Sequence, residues 1–196
     1  MKGRDTVHPA NLHKIYARYN DDTIRVYQAY GDAIAKEALQ KGTFGDSFKL
    51  ERMTWIKPSF LWMMYRSGWG TKEGQTRVLA IDMKRTGFDE ILSQAVQSSF
   101  SKEAYSTREE WQKAIAHSDV RCQWDPGRDI HGNPLERRSI QLGLRGLVVR
   151  RYVNDWIVKI TDYTQTVMEL REKIYNRTFD DRLLPVETEY PVKQID

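Results

Sequence analysis

The feature that most constrains the fold is the order of strand-like and helix-like segments. Segments rich in β-branched and aromatic residues are separated by segments with helical periodicity, without the regular alternation of a parallel α/β fold. The predicted strands are Thr23–Tyr30, Arg77–Met83, Val120–Trp124, Arg138–Leu144 and Trp156–Asp162, with Met53–Ile56 also extended. This order predicts an α+β fold, with a mixed or split antiparallel sheet flanked by helices.

Helices are predicted from apolar stripes and from residues that favour helix ends. The predicted helical segments are Pro9–Tyr19, Ala33–Lys41, Ser59–Tyr65, Thr86–Val96, Arg108–His117, Leu147–Val153 and Thr166–Ile174. Capping boxes are predicted at the pairs Thr86 and Asp89, Thr107 and Glu110, and Thr166 and Glu169. Asp125-Pro126-Gly127 is a strong turn signal.

The chain of 196 residues suits one domain with one core. We predict a single domain over residues 1–176, followed by a C-terminal extension over 177–196, where the periodicity is lost. The single cysteine, Cys122, excludes an internal disulfide and favours the reducing cytoplasm. The sequence shows no secretory signal, no membrane span and no zinc-ligand spacing, so neither a membrane partner nor a metal is expected.

Basic residues are concentrated in two segments, although the formal net charge is only +4. The segment from Arg52 to Lys72 has four bases and no acid. The segment from Arg121 to Arg151 has seven arginines and three acids. The two segments together could line one face that binds an anion, whereas scattered solvated arginines would give the same counts.

The stretch Arg52–Trp69 combines three tryptophans with cations, which is the combination that a nucleotide needs. Aromatic rings stack on a base or a nicotinamide, and cations contact phosphates. The candidates for ligand contact are Arg52, Trp55, Lys57, Ser59 and Arg66. The apolar positions Phe60, Leu61, Met63 and Met64 are expected in the core.

Polar side chains at strand ends give further candidates. Tyr27 and Gln28 lie near the end of the first predicted strand, where Gln28 offers both a donor and an acceptor. Asp125 follows another strand and is either a general base or a turn former. Ser139 and Gln141 alternate along a third strand, so they share one face, which could meet a ligand beside Gln28.

Two of these stretches resemble the signature stretches of the family called domain of unknown function 4291. They are Val26–Tyr30 and Arg52–Arg66, and the later stretches Gln123–Pro126 and Arg138–Gln141 also fit. The resemblance covers nearly the whole chain, and the long motif is highly specific. No activity follows from this family resemblance.

The layout of the chain also resembles ADP-ribosyltransferase-like domains. In those domains an early strand carries an Arg or His that binds NAD, and a late strand carries a catalytic Glu. Gln28 and Gln141 stand at these two positions in this chain. Because a Gln can neither take up a proton nor hold a negative charge, the likeness favours members that act on nucleic acid, which rely more on Arg and His.

The resulting hypothesis is a nucleotide-handling transferase of this class that uses NAD and acts on nucleic acid. Tyr27, Gln28 and Trp55 would contact the ring. Arg52, Lys57 and Arg66 would hold phosphates, with Ser59 beside them. Gln141, Ser139 and Asp125 would face the reacting centre. The alternatives are a non-catalytic RNA- or DNA-binding module and a structural domain that binds a partner.

Overall fold

The computed structural model describes residues 13–192. Its strands are β1 (Tyr16–Ala17), β2 (Thr23–Tyr30), β3 (Thr54–Ile56), β4 (Arg77–Lys84), β5 (Ala95–Gln97), β6 (Val120–Arg128), β7 (Pro134–Leu144), β8 (Ile157–Asp162) and β9 (Thr188–Glu189). Its helices are α1 (Asp32–Lys41), α2 (Phe60–Ser67), α3 (Arg85–Ser93), α4 (Arg108–His117), α5 (Gly146–Arg151) and α6 (Thr164–Tyr175). A π-helical segment, Tyr152–Trp156, joins α5 to β8.

Two larger sheets and one short ribbon organise the fold. One sheet has the order β2-β4-β8 and is antiparallel throughout. The other has the order β3-β7-β6-β5, in which only β5 and β6 are parallel. The two sheets meet where the backbone N–H of Tyr27 donates to the carbonyl of Lys57 at 2.8 Å. The predicted α+β fold with a split antiparallel sheet is confirmed.

The central strand β4 is buried on both faces, which explains its unbroken apolar run. Leu79 and Ile81 face the main core, where they meet α1, α3 and the second sheet. Val78 and Ala80 face a smaller cluster formed with α2 and α6. Phe60, Met63 and Met64 belong to this smaller cluster, with Leu61 packed against it, so the predicted core face of α2 is confirmed.

The predicted helix Pro9–Tyr19 is wrong from His13 onward, and residues 9–12 lie outside the described residues. Tyr16–Ala17 forms β1, which pairs with β9 from the far end of the chain. Ile15 and Ala17 are buried and Tyr16 is only partly buried, so the apolar pattern alternates as in a strand. The sequence window around Tyr16 contains no sign of its pairing partner Glu189, which is 173 residues away.

The segment after Arg177 packs against the rest of the domain. Its strand β9 pairs with β1, and Tyr190, only 2% exposed, donates a hydrogen bond to Asp89 at 2.6 Å. The carboxylate of Glu187 accepts a hydrogen bond from the backbone N–H of Phe60 at 2.6 Å. The predicted extension therefore contributes both to the core and to the start of α2.

Three local predictions are corrected by the structure. Asp125-Pro126-Gly127 lies within β6 and forms a bulge there, beyond the part of β6 that pairs with β5, where a proline is tolerated. Helix α3 ends at Ser93, and Ala95–Gln97 becomes β5. Only the Thr107 cap is confirmed, because its side chain accepts from the Glu110 N–H, whereas α3 and α6 begin without a side-chain cap.

Between residues 13 and 192, no helix is both long and apolar enough to cross a membrane.

Candidate functional site

A cavity of about 700 Å³ is lined by residues from both larger sheets. Its wall includes the end of β2, strand β3, one side of α2, and the polar side chains of β6 and β7. We call it the inter-sheet cavity. Its volume lies within the range of about 300–1,000 Å³ that is usual for small-molecule sites.

Helix α2 holds one wall of the inter-sheet cavity, and its start is fixed from two directions. The Ser59 hydroxyl accepts from the Trp62 N–H at 3.4 Å, and the Glu187 carboxylate accepts from the Phe60 N–H. Gly68 ends the helix in the left-handed conformation at φ 58°, which a glycine adopts without strain. Since both ends are capped, Arg66 in the last turn projects from a well-anchored helix.

Three cations on the cavity wall have no partner in the described part of the chain. Lys49, Arg52 and Arg66 are all exposed, and none of their side chains makes an ion pair or a hydrogen bond with residues 13–192. An exposed cation without a carboxylate partner can contact an anion without first breaking an internal bond. The mouth of the cavity therefore attracts negative charge.

Lys57 also lines the inter-sheet cavity, but its environment differs from that of the three exposed cations. The residue is only 5% exposed, and its Nζ donates to the carbonyl of Trp55 at 3.2 Å. Burial, with a smaller contribution from the nearby Arg66, lowers the pKa of Lys57 to about 7. A substantial fraction of its amine is therefore neutral at neutral pH.

Asp125 is the acidic residue of the cavity wall, and both of its oxygens are occupied. Oδ1 accepts from Gln123 Nε2 and Oδ2 accepts from Gln141 Nε2, each at 2.8 Å. Because an ionised carboxylate only accepts, it fixes which end of each amide faces it. Asp125 therefore orients two amides on the cavity wall.

Gln28 lies in a buried polar network at the end of β2. Its Oε1 accepts from the Tyr152 hydroxyl at 2.8 Å. Its Nε2 lies 2.7 Å from the Tyr30 hydroxyl and 2.8 Å from Thr54 Oγ1. These contacts satisfy the amide, so Gln28 joins β2, β3 and the π-helical segment and supports the cavity wall.

Trp55 supplies an aromatic surface to the inter-sheet cavity. It pairs with Gly143 across β3 and β7, and a Cβ at Gly143 would lie about 3.0 Å from the Trp55 ring. The missing side chain therefore makes room for the indole. Trp62 also lines the cavity and stacks on Tyr65, with ring centroids 5.2 Å apart.

The structure brings together seven of the ten predicted site residues. Those on the wall of the inter-sheet cavity are Gln28, Arg52, Trp55, Lys57, Arg66, Asp125 and Gln141. Tyr27 is not among them, because strand alternation turns it to the opposite face of β2, where it packs against Phe60 and Tyr163. Ser59 and Ser139 also lie outside the cavity and line a separate small pocket, and Ser59 serves as the cap of α2.

Most arginines of the second basic segment have structural partners. Arg121 and Arg145 donate to carbonyl groups at the end of α4 and just beyond it. Arg151 pairs with Glu90, and Arg128 lies over the Tyr65 ring at 3.9 Å. The expectation that both basic segments line one anion-binding face is therefore not met by these four arginines.

Sequence reasoning missed several residues of the cavity and its supporting network. Lys49 lines the cavity from the loop before β3, and Gln123 holds Asp125 from the same strand. Thr54 and Tyr152 complete the hydrogen bonds of Gln28. Gln123 stands two residues before Asp125 in one strand, so alternation along β6 was the signal that could have added it to the site. Among the described residues, no three His, Cys, Asp or Glu side chains are placed to hold a metal ion.

Comparison with known proteins agrees with the motifs in the sequence. A search of curated proteins found no match. The family model described as Domain of unknown function (DUF4291) matches residues 14–190, which include every strand and helix described above. The chain therefore belongs to the family described as Domain of unknown function (DUF4291).

Proposed function

We propose that the inter-sheet cavity binds a nucleotide and that the protein is a nucleotide-handling transferase, with NAD as the first candidate. The observation that carries the proposal is the combination of three unpartnered cations with an aromatic surface in one cavity. Phosphates need the cations, and a base or a nicotinamide ring needs the aromatic surface.

The three exposed cations are assigned to the phosphates, and Lys57 is not. Arg52 and Arg66 each offer a planar guanidinium for bidentate contact, and Lys49 adds a point charge. A buried lysine with a pKa near 7 is a poor phosphate anchor, because its charge is only partly present at neutral pH. Trp55 would stack with the ring of the nucleotide.

Gln141 would face the reacting part of the ligand. Its Nε2 is held by Asp125, so its Oε1 remains as an acceptor that can bind a hydroxyl or an amide N–H. This arrangement orients a group and does not remove a proton. NAD is the first ligand to test because the order of segments along the sequence resembles that of ADP-ribosyltransferase-like domains, and nucleic acid remains the proposed acceptor.

The test is a thermal-shift screen of the purified chain with NAD, ATP, GTP and a short RNA. We expect NAD or another nucleotide at millimolar concentration to raise the melting temperature, because a ligand that binds only the folded state stabilises it. Arg52→Ala should remove most of that shift. The matched control is Arg150→Ala, which removes an exposed arginine outside the cavity and should leave the shift intact.

The outcomes separate the proposal from its alternative. Binding of RNA alone, with an affinity that falls steeply as salt is raised, would instead indicate a non-catalytic nucleic-acid module. The absence of any shift with all four ligands would contradict nucleotide binding in the inter-sheet cavity.

A further inference from the structure

Lys57 is the least ordinary side chain of the inter-sheet cavity. It lies between β3 and α2, and its carbonyl accepts from the Tyr27 N–H at 2.8 Å, so its backbone is fixed where the two larger sheets meet. Pro58 follows it directly and restricts its backbone further. The backbone that carries the Lys57 side chain is thus fixed at the cavity wall.

The amine of Lys57 has no counter-charge at bonding distance within residues 13–192. Its hydrogen bond goes to a neutral acceptor, the Trp55 carbonyl. The charged groups that face it are Arg66 on α2, which repels a positive amine, and Asp125 on β6, whose oxygens are occupied by two amides. The walls from β2 and β7 contribute the neutral amides Gln28 and Gln141.

Burial without a counter-ion shifts an amine toward its neutral form. The neutral form carries the lone pair and is the nucleophile, and this is how enzymes activate lysine toward carbonyl groups. The neighbouring exposed cations Lys49, Arg52 and Arg66 would hold an anionic group beside this amine. The cavity therefore unites a nucleophile with an anion site.

We propose that the ε-amine of Lys57 forms an imine with a small phosphorylated aldehyde bound in the inter-sheet cavity. The nitrogen attacks the carbonyl carbon, so an N–C bond forms and the oxygen takes up a proton. Water then leaves as the C–O bond breaks, and the nitrogen gives up its two hydrogens overall, leaving a C=N bond. This activity goes beyond nucleotide binding and needs no oxidant or reductant.

The probe is pyridoxal 5′-phosphate, an aldehyde that carries a phosphate. The full chain is incubated with a limiting amount of the probe at neutral pH, treated with borohydride to reduce the imine to a stable amine, and mapped by peptide mass spectrometry. We expect Lys57 to be labelled about tenfold or more faster than Lys72, an exposed lysine outside the cavity. Equal labelling of the two lysines would overturn the proposal.

Two further arms test the mechanism and the anion site. Lys57→Arg keeps a cation but loses the nucleophilic amine, so the preferential label should vanish while circular dichroism shows an intact fold. Arg52→Ala should slow labelling by the phosphorylated probe and leave labelling by pyridoxal, which lacks the phosphate, unchanged. An equal loss with both probes would contradict the anion site.

This experiment and the nucleotide screen fail independently. A chain that binds nucleotide but is not labelled preferentially at Lys57 overturns the imine proposal alone. A chain that is labelled at Lys57 but binds no nucleotide supports imine formation and contradicts the nucleotide proposal. If Lys57→Arg does not fold, labelling of the wild-type chain still decides the question.

Discussion

The two basic segments of this chain have similar compositions and different structural roles. Arg52 and Arg66, from the first segment, line a cavity, and their side chains have no partner within residues 13–192. Arg121 and Arg145, from the second, donate to carbonyl groups around the end of α4. In the second segment the arginines complete the fold, whereas in the first they remain available to a ligand.

The difference teaches that a count of charges does not identify a binding surface. Carbonyl groups at the end of a helix lack partners within that helix, and an arginine nearby can satisfy several of them at once. A cation that lines a cavity without a carbonyl or carboxylate partner stays exposed, and it adds no internal bond that stabilises the fold. Unpartnered cations, and not basic residues in general, mark the candidate site.

The largest expected effect concerns Lys57, a cation of the first segment that is buried. Its pKa falls from 10.5 to about 7, so above pH 7 the unfolded state binds more protons than the folded state. Wild-type stability should therefore rise with pH relative to Lys57→Met, by about 3 kcal/mol over roughly two pH units above neutrality. Urea denaturation of both proteins at several pH values measures this difference, and a difference that does not change with pH would contradict the assigned environment.

The second effect is a loss of stability that is expected for an arginine of the second basic segment. Arg121→Ala removes donors to the carbonyl groups of Ser118 and Ile115 and should lower the free energy of unfolding by about 2 kcal/mol. The inter-sheet cavity should keep its affinity for nucleotide, since Arg121 does not line it. Chemical denaturation and a binding titration test the two statements. A variant that is fully stable but has lost nucleotide binding would reverse the assignment.

The third effect is a loss of nucleotide binding without a loss of stability, the opposite of what is expected for Arg121→Ala. Arg52→Ala should change the free energy of unfolding by less than about 0.5 kcal/mol, because this exposed side chain makes no hydrogen bond or ion pair within the described chain. Its nucleotide affinity should fall about tenfold, which corresponds to about 1.4 kcal/mol. Denaturation combined with calorimetric titration measures both. A marked loss of stability would show that Arg52 has a structural role.

The smallest effect is expected for Arg150→Ala. Arg150 is exposed, lies on α5 outside the cavity, and makes no ion pair within residues 13–192. Both the free energy of unfolding and the nucleotide affinity should stay within the error of measurement. A clear change in affinity would extend the anion-binding surface to the second basic segment.

The sequence predicted the strands that carry their own local signal. Thr23–Tyr30 and the apolar run of β4 have the composition of strands, and both form as expected. The window around Tyr16 was predicted to be helical from its apolar stripe, and it forms a strand because it pairs with β9, a partner distant in sequence. Local patterns do not contain that kind of information.

The same limit of local patterns explains why only part of the candidate site was predicted. Arg52, Trp55 and Arg66 share one short stretch, so their composition alone pointed to a ligand. Tyr27 was misplaced because the face of β2 that meets the cavity depends on how the two sheets pack. The lowered pKa of Lys57 was invisible in the sequence, since it arises from burial and, to a smaller extent, from the nearby Arg66.

The central claim is that the unpartnered cations of the inter-sheet cavity bind the phosphates of a nucleotide. Isothermal titration calorimetry of NAD into the wild-type chain and into the double variant Arg52→Ala, Arg66→Ala tests it most directly. We predict one site in the wild type, an affinity lower by about a hundredfold in the double variant, and a wild-type affinity that weakens as salt is raised. Equal affinities for the two proteins, or no heat of binding for NAD, ATP and GTP alike, would contradict the account.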